Sequence, residues 1–241
     1  MYYYLLFLLI LLPFIALSAW ASAKVNTTYA KFDAVRNRSG LTGYDTATRL
    51  MRNRGVNDIS VNRVAGRLTD HYHPTKKQVN LSESTFGSPS VAAVAVAAHE
   101  IGHVMQKQKG YLPYRIRTAL VPLANVGARL ALPIILIGFL VDLIWWSCPV
   151  PIGAWAAYVG IGLYSLSTLF TLVTLPVELN ASRRARQMLV EDGILTGDEL
   201  PGAKKVLSAA AMTYVASLLI SLIYFLRFLF IALSLAGRRR R

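Results

Sequence analysis

Four long apolar blocks limit what this chain can become. They cover residues 2–23, 119–146, 152–177 and 206–226, the last with an apolar extension to 236. Each is long enough to cross a bilayer as a helix, which takes about 20 apolar residues. In a chain of 241 residues that is 54% hydrophobic, the expectation is an integral, mainly α-helical membrane protein with about four transmembrane helices. The first block has no Lys or Arg ahead of its apolar run, and that run is longer than a signal-peptide core. Ala21-Ser22-Ala23 is therefore read as part of a retained anchor in spite of its likeness to a cleavage site. Arg129 and Asp142 sit towards the ends of the second block and are read as interfacial, with Arg129 snorkelling. Pro149, Pro151 and Gly153 predict a short turn, and Trp145, Trp146 and Trp155 suit an aromatic belt beside it.

The net charge of +14 invites a nucleic-acid reading, but the distribution argues against one. Fifteen basic residues fall between Lys24 and Arg117 and five more between Arg183 and Lys205, while the loop 147–151 has none. Basic segments flanking spans set orientation. Both are expected in the cytoplasm, facing anionic lipid headgroups, with the short loop and the uncharged N-terminus outside. Four spans would then also place Arg238 to Arg241 outside, against the same rule. The last block is split by Arg227, so its end either re-enters as an interfacial segment or is outvoted by the larger basic loops. Cys148 is the single cysteine, which excludes an intrachain disulfide and a cysteine zinc site.

Between the first two blocks lies VAVAAHEIGHVMQKQ, residues 94–108. On a helix, His99 and His103 are one turn apart and share a face, so both can reach one zinc ion, with Glu100 beside them as a base. Two such histidines can also be buried core residues without a metal. Yet the chain has only four histidines, and the small apolar run ahead of these two supplies the helical context that the chemistry needs. A catalytic zinc takes three protein ligands and leaves one position open. Glu178 is the candidate third ligand: it directly follows the third block in LPVELNASRRA. Two spans separate it from His103, an even number, so both return to the same side of the membrane. Otherwise Glu178 is a solvated carboxylate paired with Arg183 or Arg184.

Residues 67–73 and 78–81 read as two short strands around Pro74-Thr75-Lys76-Lys77, a hairpin ahead of the motif helix. Such an edge can hold a substrate backbone by strand addition. His71, Tyr72 and His73 lie at its tip as candidate oxyanion or metal groups. Ser88 or Ser90 is expected to cap the motif helix, and residues 193–202 read as a loop broken by Gly193, Gly197 and Pro201.

Taken in order, LTDHYHPTKKQVNLS, AAHEIGHVMQ and LPVELNASRRA, with the N-terminal anchor and the intervening apolar blocks, resemble the YugP-like neutral zinc metallopeptidases, and more distantly the HtpX-type membrane proteases. The resemblance implies zinc at His99, His103 and Glu178 and a catalytic Glu100. A helical turn after the ligand glutamate, where many related enzymes carry an acid, this chain has Ser182, with Asn180 the nearest amide.

The expected organisation is an anchor at 1–23 and a small α+β zincin-like cytoplasmic domain at 24–118. A two-span hairpin follows at 119–177, then a cytoplasmic segment with the third ligand at 178–205, a last span at 206–236 and a basic tail at 237–241. The expected function is peptide-bond hydrolysis by a zinc-activated water with Glu100 as general base. It would act in the bacterial inner membrane on membrane-associated protein or peptide substrates, with membrane lipids as partners and no nucleic acid. The alternative is a non-catalytic membrane adaptor with a structural zinc, a class of site usually closed by four protein ligands.

Overall fold

The computed structural model describes residues 2–144 and 152–238. The expected turn at Pro149 and Pro151, Cys148, the belt residues Trp145 and Trp146, and the last three arginines lie outside the described residues, as does the side chain of Asp142. The chain is mostly helical, with four helices long and apolar enough to cross a membrane and one small mixed sheet. It divides into two compact units, one built from Met1–Ala16, Arg115–Leu175 and Val215–Arg241, the other from Leu17–Tyr114 and Pro176–Tyr214.

The first unit consists of stretches of the four long helices: α1 (Tyr2–Asp33), α5 (Leu112–Ile144), α6 (Ile152–Glu191) and α7 (Glu199–Arg238). Large apolar side chains such as Leu9, Leu132, Ile137 and Leu172 point outward, as lipid-facing positions do. Without a hydrophobic drive between helices in lipid, close packing relies on small residues and hydroxyl pairs. Gly127 of α5 accordingly lies against the Leu163 carbonyl of α6, and Thr168 of α6 hydrogen-bonds Ser221 of α7 at 2.9 Å. Helix α7 runs without a break through Arg227, whose guanidinium lies 3.9 Å from the Phe7 ring centre. A cation over an aromatic face is accommodated within the helix, and the helix shows no break at Arg227 at which a re-entrant segment would turn.

The second unit holds α2 (Gly43–Arg52), β1 (Ser60–Val64), β2 (His71–His73), β3 (Gln78–Ser82), the short α3 (Glu83–Phe86) and the motif helix α4 (Val91–Gln108). Strand order is β1-β3-β2, with β1 parallel and β2 antiparallel to β3. The expected hairpin is therefore β2–β3, with its first strand shorter than the sequence suggests. Helix α2 begins with a capping box, Thr42 and Asp45 bonding each other's backbone N–H at 3.0 and 3.1 Å. Helix α4 is buried on nearly every side. Its Val94, Ala98, Ile101 and Val104 form one core with Leu50, Val79, Leu81, Met188, Leu189 and Leu195. Its N-cap is Ser90, whose hydroxyl accepts from the Ala93 N–H and donates to Asp33.

One loop boundary needs correction. Residues after Gly193 form a turn as expected, but α7 already begins at Glu199 and continues through Pro201 and Gly202. Proline is tolerated in a first turn, where its missing N–H has no helical partner. Gly202 is held in the helix by contact: a Cβ there would lie 2.8 Å from the Phe32 ring of α1.

Candidate metal centre

The centre forms where α4 meets α6. Gly102 stands between the two histidines of the motif, and a Cβ at this position would lie 2.6 Å from the Ala181 carbonyl oxygen of α6. The two backbones can approach this closely only with glycine there, and Glu178, three residues before Ala181, is thereby brought beside His99 and His103. Glu178 Oε2 is 3.2 Å from His99 Nε2 and 3.6 Å from His103 Nε2. The three donor atoms lie within 4.8 Å of one another. Glu178 is only 2% exposed, which rules out the solvated carboxylate, and Arg184 bonds Asn180 instead. Gly102→Ala is expected to push α4 from α6 by overpacking, at a cost of about 1–3 kcal/mol. It should also lower zinc retention in the purified protein. Wild-type zinc content and melting temperature in that variant would refute the close-contact account.

Hydrogen bonds orient both imidazoles. Gln106, fully buried, donates its two amide hydrogens to the Val177 carbonyl at 2.7 Å and to Asn180 Oδ1 at 3.1 Å. Its oxygen is left facing His103 Nδ1 at 3.0 Å. That nitrogen then carries a proton, which leaves Nε2 as the ring atom directed towards Glu178. Ser182, in the position where an acid is often found, places its hydroxyl 3.1 Å from His99 Nδ1. Two imidazole nitrogens and a carboxylate oxygen thus converge. A cation among them would take the place of the His99–Glu178 hydrogen bond, and two histidines with one glutamate match the donor set of a catalytic zinc site.

Glu100 lines the same cavity as His99 and Glu178. It is buried, and burial foremost pushes its carboxyl up to about 7. The charges of Glu178 and Asp70 add to the rise, while His99 and the backbone N–H of Tyr72 oppose it. Neighbouring residues of a strand point their N–H groups to opposite edges. The Tyr72 bond therefore turns the outer edge of β2 towards Glu100. Asp70 is itself fixed by the Ser82 N–H at 2.8 Å, the Ser82 hydroxyl at 2.9 Å and the Thr85 hydroxyl at 3.2 Å.

A cavity of about 170 Å³ borders Asp70, His99, Glu100, Glu178, Ser182 and Tyr214 and is otherwise walled by apolar groups including Val25, Leu68, Val96, Leu207 and Ala210. Leu68 adopts a left-handed φ of 57°, uncommon for a branched side chain, and so holds its place in the wall under backbone strain. The hairpin histidines are not part of the donor cluster. His71 bonds Asn80 at 3.0 Å and faces the Thr69 carbonyl at 2.9 Å, and His73 accepts from the Lys76 N–H at 3.2 Å. Sequence reasoning missed Gly102, Asp70 and Gln106. The clue to Gln106 was available, since a position three residues after His103 shares its helical face.

Comparison with known proteins agrees with this geometry. A family model described as "Putative neutral zinc metallopeptidase" matches residues 7–233. The "Putative membrane protease YugP" of Bacillus subtilis (strain 168) is 40% identical over 231 residues, covering 95% of this chain and 97% of that protein. No solved structure matches the chain. With a match over nearly its whole length, joined to the His99, His103 and Glu178 cluster, the chain belongs to the neutral zinc metallopeptidase family.

Proposed function

We propose that this chain is a membrane-bound zinc endopeptidase in which His99, His103 and Glu178 hold the metal and Glu100 is the general base. The observation that carries the reading is the meeting of those three donors beside a buried carboxylate at the mouth of an apolar cavity. Zinc bound there supplies Lewis acidity, which lowers the pKa of water and polarises a carbonyl.

The chain's own groups do the rest. Glu100 takes a proton from the attacking water as the water oxygen bonds to the peptide carbonyl carbon. When the C–N bond breaks, Glu100 returns that proton to the amine nitrogen. A carboxyl poised near neutrality suits both transfers. Ser182 and Gln106 keep the two imidazoles turned to the metal, and the outer edge of β2 receives the substrate backbone by strand addition. The apolar cavity beside Glu100 accepts a substrate side chain. Its walls include Val25 of α1 and Ala210 of α7, helices whose apolar stretches lead into the bilayer, so membrane-associated proteins or peptides fit as substrates. The distribution of basic residues supports a site on the cytoplasmic side of a bacterial inner membrane.

The adaptor reading requires a closed site. Among the described residues three donors converge, and His71 and His73 make other hydrogen bonds, which favours catalysis. The test is the purified full chain, assayed for bound zinc and for casein cleavage before and after chelation. One equivalent of zinc, cleavage lost on chelation and cleavage restored by zinc are expected. Cleavage indifferent to metal removal would exclude the proposal.

A further inference from the structure

A second cavity of about 400 Å³ lies between α1 and α7 within the second unit, apart from the metal centre. Its α1 wall is a single stripe, Trp20, Lys24, Thr28 and Lys31, spaced four, four and three residues apart so that all share one face. The facing α7 stripe includes Lys205, Ser208 and Met212. The helices touch where Gly202 meets the Phe32 ring. From that contact both stripes run towards the apolar parts of their helices, with lysines first and Trp20 and Met212 farther on.

Three lysines therefore line one groove, and no Asp or Glu lines it among the described residues. Nor do Lys24, Lys31 or Lys205 form an ion pair among the described residues. Like charges gathered without a counter-charge repel one another, and an anion removes that cost. The polarity gradient selects which anion. Ammonium and hydroxyl groups at one end match a phosphate diester and its polar substituent, while an indole and a thioether at the membrane-ward end match the start of acyl chains. Trp at this level is characteristic of a membrane interface, and basic pockets between spanning helices take lipid headgroups.

We propose that this groove binds the headgroup of an anionic phospholipid. The site is independent of the metal centre and of the peptidase reading. A free phosphate would share the charge chemistry but would leave the apolar end unused.

The experiment uses the full chain purified from membranes and exchanged into phosphatidylcholine nanodiscs, with or without phosphatidylglycerol, and lipid retention is counted by native mass spectrometry. Wild type is expected to retain phosphatidylglycerol in preference to phosphatidylcholine. Retention should weaken about fivefold for each lysine changed to Gln at 24, 31 and 205. A control with Arg52, Lys76 and Lys109 changed to Gln should retain the lipid as wild type does. Ser208→Trp fills the groove while keeping all three charges and should also displace the lipid, which covers the case in which the triple variant fails to fold. Equal retention of both lipids by wild type, or unchanged retention in Ser208→Trp, would overturn the proposal. So would displacement of the lipid by millimolar inorganic phosphate, which would mark a free-anion site.

Discussion

A Glu100→Gln protein is expected to keep its full equivalent of zinc while losing cleavage by a factor of at least about 10²–10⁴, the usual contribution of a positioned proton-transfer group. Metal is retained because the three donors at 99, 103 and 178 are untouched and Gln has the same shape. The buried site should tolerate the change well. Glu100 lies near the charges of Glu178 and Asp70, and burial already disfavours its ionised form, so a neutral amide relieves repulsion at this point. Activity falls because an amide cannot accept the proton that the water must lose. Zinc content by elemental analysis and cleavage of a casein reporter are measured on the same preparation. A zinc-loaded Glu100→Gln protein that cleaves at the wild-type rate would remove Glu100 from the mechanism.

Glu178→Ala is expected to do the reverse and empty the site. It removes one of three ligands, and the only one carrying negative charge, so zinc should fall far below one equivalent after purification. Gln106→Leu should lie between the two. Loss of an oriented partner behind a ligating histidine typically costs about 10–100-fold in metal affinity. Here the same change also takes the Gln106 donor from the Val177 carbonyl and leaves Asn180 Oδ1 with Arg184 alone of its two side-chain donors. Competition with a chromophoric chelator ranks the affinities, and unchanged helical circular dichroism separates ligand loss from unfolding. If Glu178→Ala retained wild-type affinity, the third ligand would have to be sought elsewhere.

The parts of this architecture visible in the sequence were those governed by local or counting rules. Apolar length marked the four helices long enough to cross a membrane, one-turn spacing placed His99 and His103 on one face, and the place directly after the third block, with the expected parity of spans, picked out Glu178 among the acids. What escaped depended on contacts between distant segments. Strand β1 is five residues long, largely polar and paired in parallel across a crossover, so neither alternation nor a turn announces it. Gly202 looks like a breaker until Phe32 is seen against it. Gly102 looks like an incidental residue of the motif until Ala181 is seen opposite, and Asp70 gains meaning only through Ser82 and Thr85. The hairpin histidines, chemically suggestive in the sequence, are engaged by the fold in local hydrogen bonds.

The distance along the chain between His103 and Glu178, 75 residues, also imposes an order in time. Translation completes the two histidines and the base well before it reaches the third ligand, and a two-histidine fragment is a poor competitor for zinc against the cell's own chelators. If Glu178 is the third ligand, the nascent chain would during that interval carry the HExxH motif without a complete site. On the proposed reading, competence would arise only after α6 has been made and packed against Gly102, so that the order of synthesis itself would hold the activity back.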